Sequence, residues 1–204
     1  MLLHTRDRWN MAYQVIRSSD VPGEPRKVLK GAVLLCDTSA SMGWQDTWTG
    51  KRRIDHLAEV LAYVLSKTKV QTLCSFNSLV REHKLTTSVS LEEPQGGTDL
   101  ALALRWCREN VKPVPEQLLI LSDGQPNDPS GTMKDMHRLM DDWAQPPVHC
   151  YFCGDDNDAP AKAFLAQLAA MGGPGSGMDS FNLATPKRLA AELVLRITHD
   201  RGQS

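Results

Sequence analysis

Val33-Leu34-Leu35-Cys36-Asp37-Thr38-Ser39-Ala40-Ser41 is an apolar run that stops abruptly at an acid and two hydroxyls. A short, continuous apolar run of this kind is the pattern of a strand buried on both faces, the usual state of strands in a parallel sheet. Its end brings Asp37, Ser39 and Ser41 together at the mouth of that sheet. Two later segments supply companions. Gly96-Gly97-Thr98-Asp99 precedes a helical pattern, and Leu118-Leu119-Ile120-Leu121-Ser122-Asp123-Gly124 repeats the arrangement of an apolar run followed by an acid. Together they offer only oxygen donors, which suits a hard divalent cation such as magnesium.

Outward from this stretch the elements alternate. Ile54, Leu57, Ala58, Leu61, Val64 and Leu65 follow helical spacing through Lys67. Val70 to Phe76 reads as a strand, with Asn77-Ser78 as a tight turn into 79–85. That second run holds Arg81, Glu82 and Lys84, as expected of a charged edge strand antiparallel to its predecessor. Leu100, Ala103, Leu104, Cys107 and Val111 mark a second helix, ended by Pro113 and Pro115, and Gln117 to Leu121 is a central strand. A helix over 133–143, a strand over 148–153, a helix through Phe164 and Leu168, a short strand over 180–183 and a closing helix through Leu189 to Ile197 complete the order. Strands interleaved with helices predict an α/β domain with a mostly parallel sheet and helices on both faces.

Residues 1–28 stand apart. Trp9, Met11, Tyr13 and Val15 alternate with mostly polar neighbours, as in one strand or arm, and Val21-Pro22-Gly23-Glu24-Pro25 reads as a linker. The expected organisation is an arm over 1–28 and one domain over 29–204. A chain of 204 residues with 41% hydrophobic and 23% charged residues is ordinary for a globular protein. Its net charge of −1 gives no electrostatic footprint for nucleic acid or an anionic membrane. No stretch approaches the roughly 18 apolar residues of a spanning helix. Five scattered cysteines do not make a disulfide framework, so the expected compartment is the reducing cytoplasm.

Asp37-Thr38-Ser39-Ala40-Ser41, Thr98 in Gly-Gly-Thr-Asp and Asp123 in Leu-Ser-Asp-Gly resemble, in order and spacing, the five-part metal-ion-dependent adhesion site of von Willebrand factor A domains. The resemblance covers roughly 29–200. It implies a three-layer, doubly wound, Rossmann-like fold with strand order 3-2-1-4-5-6 and strand 3 as an antiparallel edge. The first and fourth strands are then neighbours whose connections leave in opposite directions, which opens the crevice where such sheets bind ligands. The resemblance further implies that Ser39, Ser41 and Thr98 touch the metal while Asp37 and Asp123 act largely through bound water. Magnesium is the expected ion, with manganese or calcium as substitutes. An open coordination position would accept an Asp or Glu from a protein partner. Bacterial relatives of this kind often work beside AAA+ ATPases of the MoxR type or in chelatase-like and stress-response complexes.

Two features depart from the family. Ala40 stands where a glycine is most common, and the loop from Met42 to Arg53, with Trp44 and Trp48, is longer than the usual entry into the first helix. Both tryptophans are candidate partner anchors, with packing against the arm as the plainer reading. Taken singly, Ser41 and Thr98 read as well as helix N-caps, and Asp123-Gly124 as a turn.

Other constellations carry less. Cys150 and Cys153 have redox spacing, but no second pair exists and residues three apart on a strand face opposite ways. The Gly172–Gly177 run follows a helix where a phosphate loop would precede one. Asp155 to Asp158 lacks the glycine and distal glutamate of a calcium loop, and Asp158 reads as an N-cap. The leading expectation is a non-enzymatic binding module. The alternatives are a magnesium-dependent phosphatase or phosphotransferase of the haloacid dehalogenase type and a structural subunit with a stabilising metal. The first of these needs a second aspartate two residues after Asp37, where this chain has Ser39.

Overall fold

A computed structural model describes residues 31–45, 50–86, 89–180 and 186–199. The expected arm at 1–28 and Trp48 lie outside the described residues. Among the described residues, six strands form one sheet in the order β3-β2-β1-β4-β5-β6. They are β1 (Ala32–Asp37), β2 (Val70–Phe76), β3 (Val80–His83), β4 (Gln117–Ser122), β5 (Val148–Phe152) and β6 (Gly177–Ser180). Only β3 runs antiparallel, paired to β2 from Leu73↔His83 to Phe76↔Val80. Every other neighbouring pair is parallel. The sheet order and the antiparallel edge are those expected from the sequence.

Among the described residues, five α-helices cover the sheet: α1 (Arg53–Lys67), α2 (Leu100–Asn110), α3 (Pro129–Trp143), α4 (Ala159–Ala169) and α5 (Pro186–His199). Alternation along the strands decides which helices each face receives. Val33 and Leu35 of β1, with Leu118 and Ile120 of β4, pack against α2, α3 and α4 through Leu104, Leu139, Trp143 and Phe164. Leu34 and Cys36, with Leu119 and Leu121, pack against α1 and α5 through Leu57, Leu61, Leu189 and Leu193. All six residues of both β1 and β4 are buried, which is why these strands read as unbroken apolar runs.

The largest departures from the expected boundaries are at α3 and β6. Helix α3 begins at Pro129, four residues before the expected Met133, because the Asp128 carboxylate accepts from Gly131 N at 2.8 Å and Pro129 stands in the first turn. Strand β6 is Gly177–Ser180 rather than 180–183: part of the glycine-rich run itself pairs with β5, from His149↔Gly177 to Phe152↔Ser180. The remainder of the expected strand, 181–183, is outside the described residues. Asp158 does cap α4, accepting from Ala161 N at 3.0 Å.

The cysteines are buried thiols. Cys150 belongs to the α2–α3–α4 face and Cys153 to the opposite one, so their spacing makes no redox pair. No helix among the described residues is long and apolar enough to cross a membrane.

Candidate metal centre

Parallel strands end on one side of a sheet, and the ends of β1 and β4 meet where the connections diverge to opposite faces. Asp37 is the last residue of β1, and Asp123 follows the last residue of β4. Beyond Asp37 the chain turns through a 3-10 segment, Ala40–Gly43, before reaching α1. This turn folds Ser39 and Ser41 back over the strand ends.

The result is a continuous chain of polar contacts. Asp37 Oδ1 accepts from Ser39 N at 2.8 Å, and its Oδ2 accepts from Ser122 Oγ at 2.6 Å. Ser39 Oγ lies 3.1 Å from Ser41 Oγ, which donates to Asp123 Oδ1 at 2.8 Å. Four of the five expected residues are thus joined directly or through one another. The fifth, Thr98, sits in the adjoining loop. That loop is fastened to the site by backbone: Ala40 N donates to Gly96 O at 3.2 Å and Gln95 N to Thr38 O at 3.1 Å. Asn127, after β4, grips Thr98 from the other side, its N donating to Thr98 O at 2.9 Å and its Oδ1 accepting from Thr98 N at 3.3 Å.

The cap readings fall away for both hydroxyl residues. Asp99 caps α2, accepting from Leu102 N at 2.9 Å, and Ser41 lies inside the 3-10 turn with its hydroxyl committed to Asp123. Ala40, which stands where the family resemblance leads one to expect glycine, is exposed.

Electrostatics set the character of the place. The Asp37 side chain is buried, and its proton affinity is pushed up to about 7 from 3.8. Burial is the main cause and the neighbouring Asp123 the second; the hydrogen bonds from Ser122 and Ser39 oppose both. Two carboxylates sharing one crevice call for cations. One is already supplied: Arg53, the first residue of α1, donates from Nη1 to Asp123 Oδ2 at 2.7 Å. The Asp123 side chain is fully buried and that of Arg53 is 17% exposed. Trp44 stacks over the guanidinium, 5.5 Å from ring centroid to Cζ, while remaining 64% exposed itself.

The donor chemistry fits a hard divalent ion. No three His, Cys, Asp or Glu side chains converge as a metal group among the described residues. Holding a cation here therefore requires the hydroxyls of Ser39 and Ser41, with Thr98 within the same set of loops. Sequence reasoning missed Ser122, Asn127 and Arg53. Ser122 adjoins Asp123, and its polarity at the end of β4 was the available signal, whereas Asn127 lies farther along the loop that follows. Arg53 had none, because its partner is 70 positions away.

No protein-family model matches the sequence, and no curated relative does either. Solved structures do resemble it. An aerotolerance-related membrane protein from Bacteroides fragilis superposes with a TM-score of 0.60 at 13% identity, covering 83% of this chain and 99% of that one. Proximal thread matrix protein 1 of the mussel byssus, with a zinc-occupied metal-ion-dependent adhesion site, gives 0.58 at 13% identity over 82% of this chain and 47% of that one. Manganese-loaded TRAP protein of Plasmodium vivax gives 0.55 at 14% identity, covering 81% and 73%. The fold is that of von Willebrand factor A domains. At these identities the likeness establishes the architecture and no more.

Proposed function

We propose that this chain is a metal-dependent protein-binding module, in which Asp37, Ser39, Ser41, Thr98 and Asp123 hold one divalent ion whose remaining position is filled by a partner's carboxylate. The observation that carries this reading is the chain of hydrogen bonds at the crevice between β1 and β4, from the Asp37 carboxylate through the Ser39 backbone N–H and the Ser39 and Ser41 hydroxyls to the Asp123 carboxylate. A bound ion would supply Lewis acidity toward a foreign acid. The chain's own part is to keep the donors in place and to leave much of the ion's charge unneutralised through neutral hydroxyls.

Magnesium is the proposed ion, with manganese or calcium as substitutes. An exposed Trp44 on the rim supports a role as an apolar anchor for the partner. The partner class suggested by the family resemblance is an AAA+ ATPase of the MoxR type.

A binding role is favoured over phosphoryl chemistry by the state of Asp37. Both of its oxygens are occupied, one by Ser39 N and one by Ser122 Oγ, and the side chain is buried, so it is poorly placed as a nucleophile. The test is capture of partners from a lysate on the immobilised chain, with magnesium and again with EDTA. A band that appears only with magnesium, and is restored by adding the ion back, is the expected result. Capture indifferent to chelation contradicts the proposal.

A further inference from the structure

A cationic side chain at the first position of a helix is out of place, since the helix N-terminus carries partial positive charge and disfavours it by about 0.3–1 kcal/mol. Arg53 nevertheless stands there, and the backbone at Arg52 and Arg53 is tied to Gln45 and Trp44. Gln45 and Arg52 form an isolated antiparallel bridge, and Arg53 N donates to Trp44 O at 3.1 Å. The Trp44 ring lies against the guanidinium, which also donates to the buried Asp123 carboxylate. The neighbouring Arg52 is directed elsewhere, to Asp55 and Glu93. Arg53 is therefore not simply one charge of a basic surface cluster; it is seated in the crevice.

The formal charges explain what this arrangement does. Two carboxylates and one guanidinium leave one negative charge. A divalent ion alone neutralises both carboxylates and makes the guanidinium surplus, and the two cations repel at close range in a partly buried site. We propose that Arg53 is an intramolecular competitor for the divalent ion at Asp123, and that metal binding expels its guanidinium from beneath Trp44 toward solvent. The exit is short, because Trp44 is exposed. The metal-bound face then presents the ion, a released guanidinium and a freed indole together, a combination suited to an acidic segment carrying one apolar side chain. This inference rests on the metal reading above and adds that loading of the site is coupled to the Trp44–Arg53 pair.

The experiment uses the full chain. Mg²⁺ and Mn²⁺ are titrated by calorimetry into the wild type, Arg53→Gln, Arg53→Lys and Trp44→Phe, and tryptophan fluorescence is followed in parallel. Competition predicts affinity about tenfold higher in Arg53→Gln, some 1.4 kcal/mol. Trp44→Phe, which loosens the guanidinium's seat without removing its charge, gains about threefold. Arg53→Lys, which keeps the charge and loses the planar fork, falls between the wild type and Arg53→Gln. In the wild type the metal changes the emission, and this change is absent in Trp44→Phe and in Arg53→Gln. Metal binding of unchanged or lower affinity in Arg53→Gln and Trp44→Phe, or a wild-type emission indifferent to the metal, overturns the competition and leaves the metal site standing. Absence of binding heat in every variant removes the metal reading, and the competition with it. If Arg53→Gln does not fold, Trp44→Phe and the wild-type emission decide the matter.

Discussion

In Asp37→Asn, the metal-free protein is expected to be more stable than the wild type at pH 8 by about 4 kcal/mol, while losing divalent-ion binding. The gain comes from the buried, repelled carboxylate, whose proton affinity is raised to about 7 in the folded chain against 3.8 for the ordinary group. At a pH well below 3.8 the carboxyl is protonated in both folded and unfolded chains and contributes no difference. Between there and pH 7 the folded state holds the extra proton, so the stability of the metal-free wild type falls as the pH rises. Above about 7 the folded carboxylate is ionised at its full cost. Asparagine has no such slope. Its amide oxygen can still accept from Ser39 N, and the Ser122 hydroxyl can turn to accept from the amide nitrogen. Thermal melts of both proteins in EDTA at pH 4 and pH 8 should show curves converging at the lower pH. At the higher pH the variant should melt roughly 8–16 °C above the wild type. Equal melting temperatures at pH 8 would mean that Asp37 carries no electrostatic burden. A group kept at such a cost in the metal-free fold is what a cation site requires.

The second large effect is expected from removing hydroxyls. Ser39→Ala with Ser41→Ala deletes two neutral oxygens but leaves both carboxylates and Arg53 in place. Metal affinity is expected to fall at least a hundredfold, some 2.7 kcal/mol, and magnesium-dependent capture of a partner with it. The fold itself should change little. Net loss of the two hydrogen bonds, about 1 kcal/mol each, is partly offset because alanine suits the turn and needs no partner. Calorimetric titration and a thermal melt of the double variant separate the cases. Lost binding with a melting temperature within a few degrees of the wild type supports recruitment through the ion. Unfolding would instead assign the serines a structural role, and unchanged metal binding would exclude them as donors.

What the sequence made legible follows from how local each signal was. The runs at 33–36 and 118–121 are buried on both faces, so hydrophobicity alone located the two central strands and the acids at their ends. The turn at Asn77-Ser78 and the charged Arg81-Glu82 marked the antiparallel edge. Asp37, Ser39, Ser41 and Asp123 could be grouped from sequence because strand order brings the ends of β1 and β4 together. Strand β6 was displaced because Gly177-Met178-Asp179-Ser180 is half-exposed and polar, with no alternation to fix its limits. The start of α3 was hidden by Pro129-Ser130-Gly131, weak helix formers held by the Asp128 cap. Arg53 was illegible for a different reason. Nothing around it differs from a solvated helix start, and its meaning lies in a carboxylate on another strand. Trp44 could be named only as a candidate anchor with packing against the arm left open, and its contact with Arg53 was not legible.

The most direct measurement of the central claim is the anomalous diffraction of crystals grown in Mn²⁺. The account predicts one strong peak between the ends of β1 and β4, with Ser39, Ser41 and Thr98 oxygens turned onto it and the Arg53 guanidinium displaced from Asp123. An empty crevice at saturating Mn²⁺, with Arg53 still paired to Asp123, would contradict it.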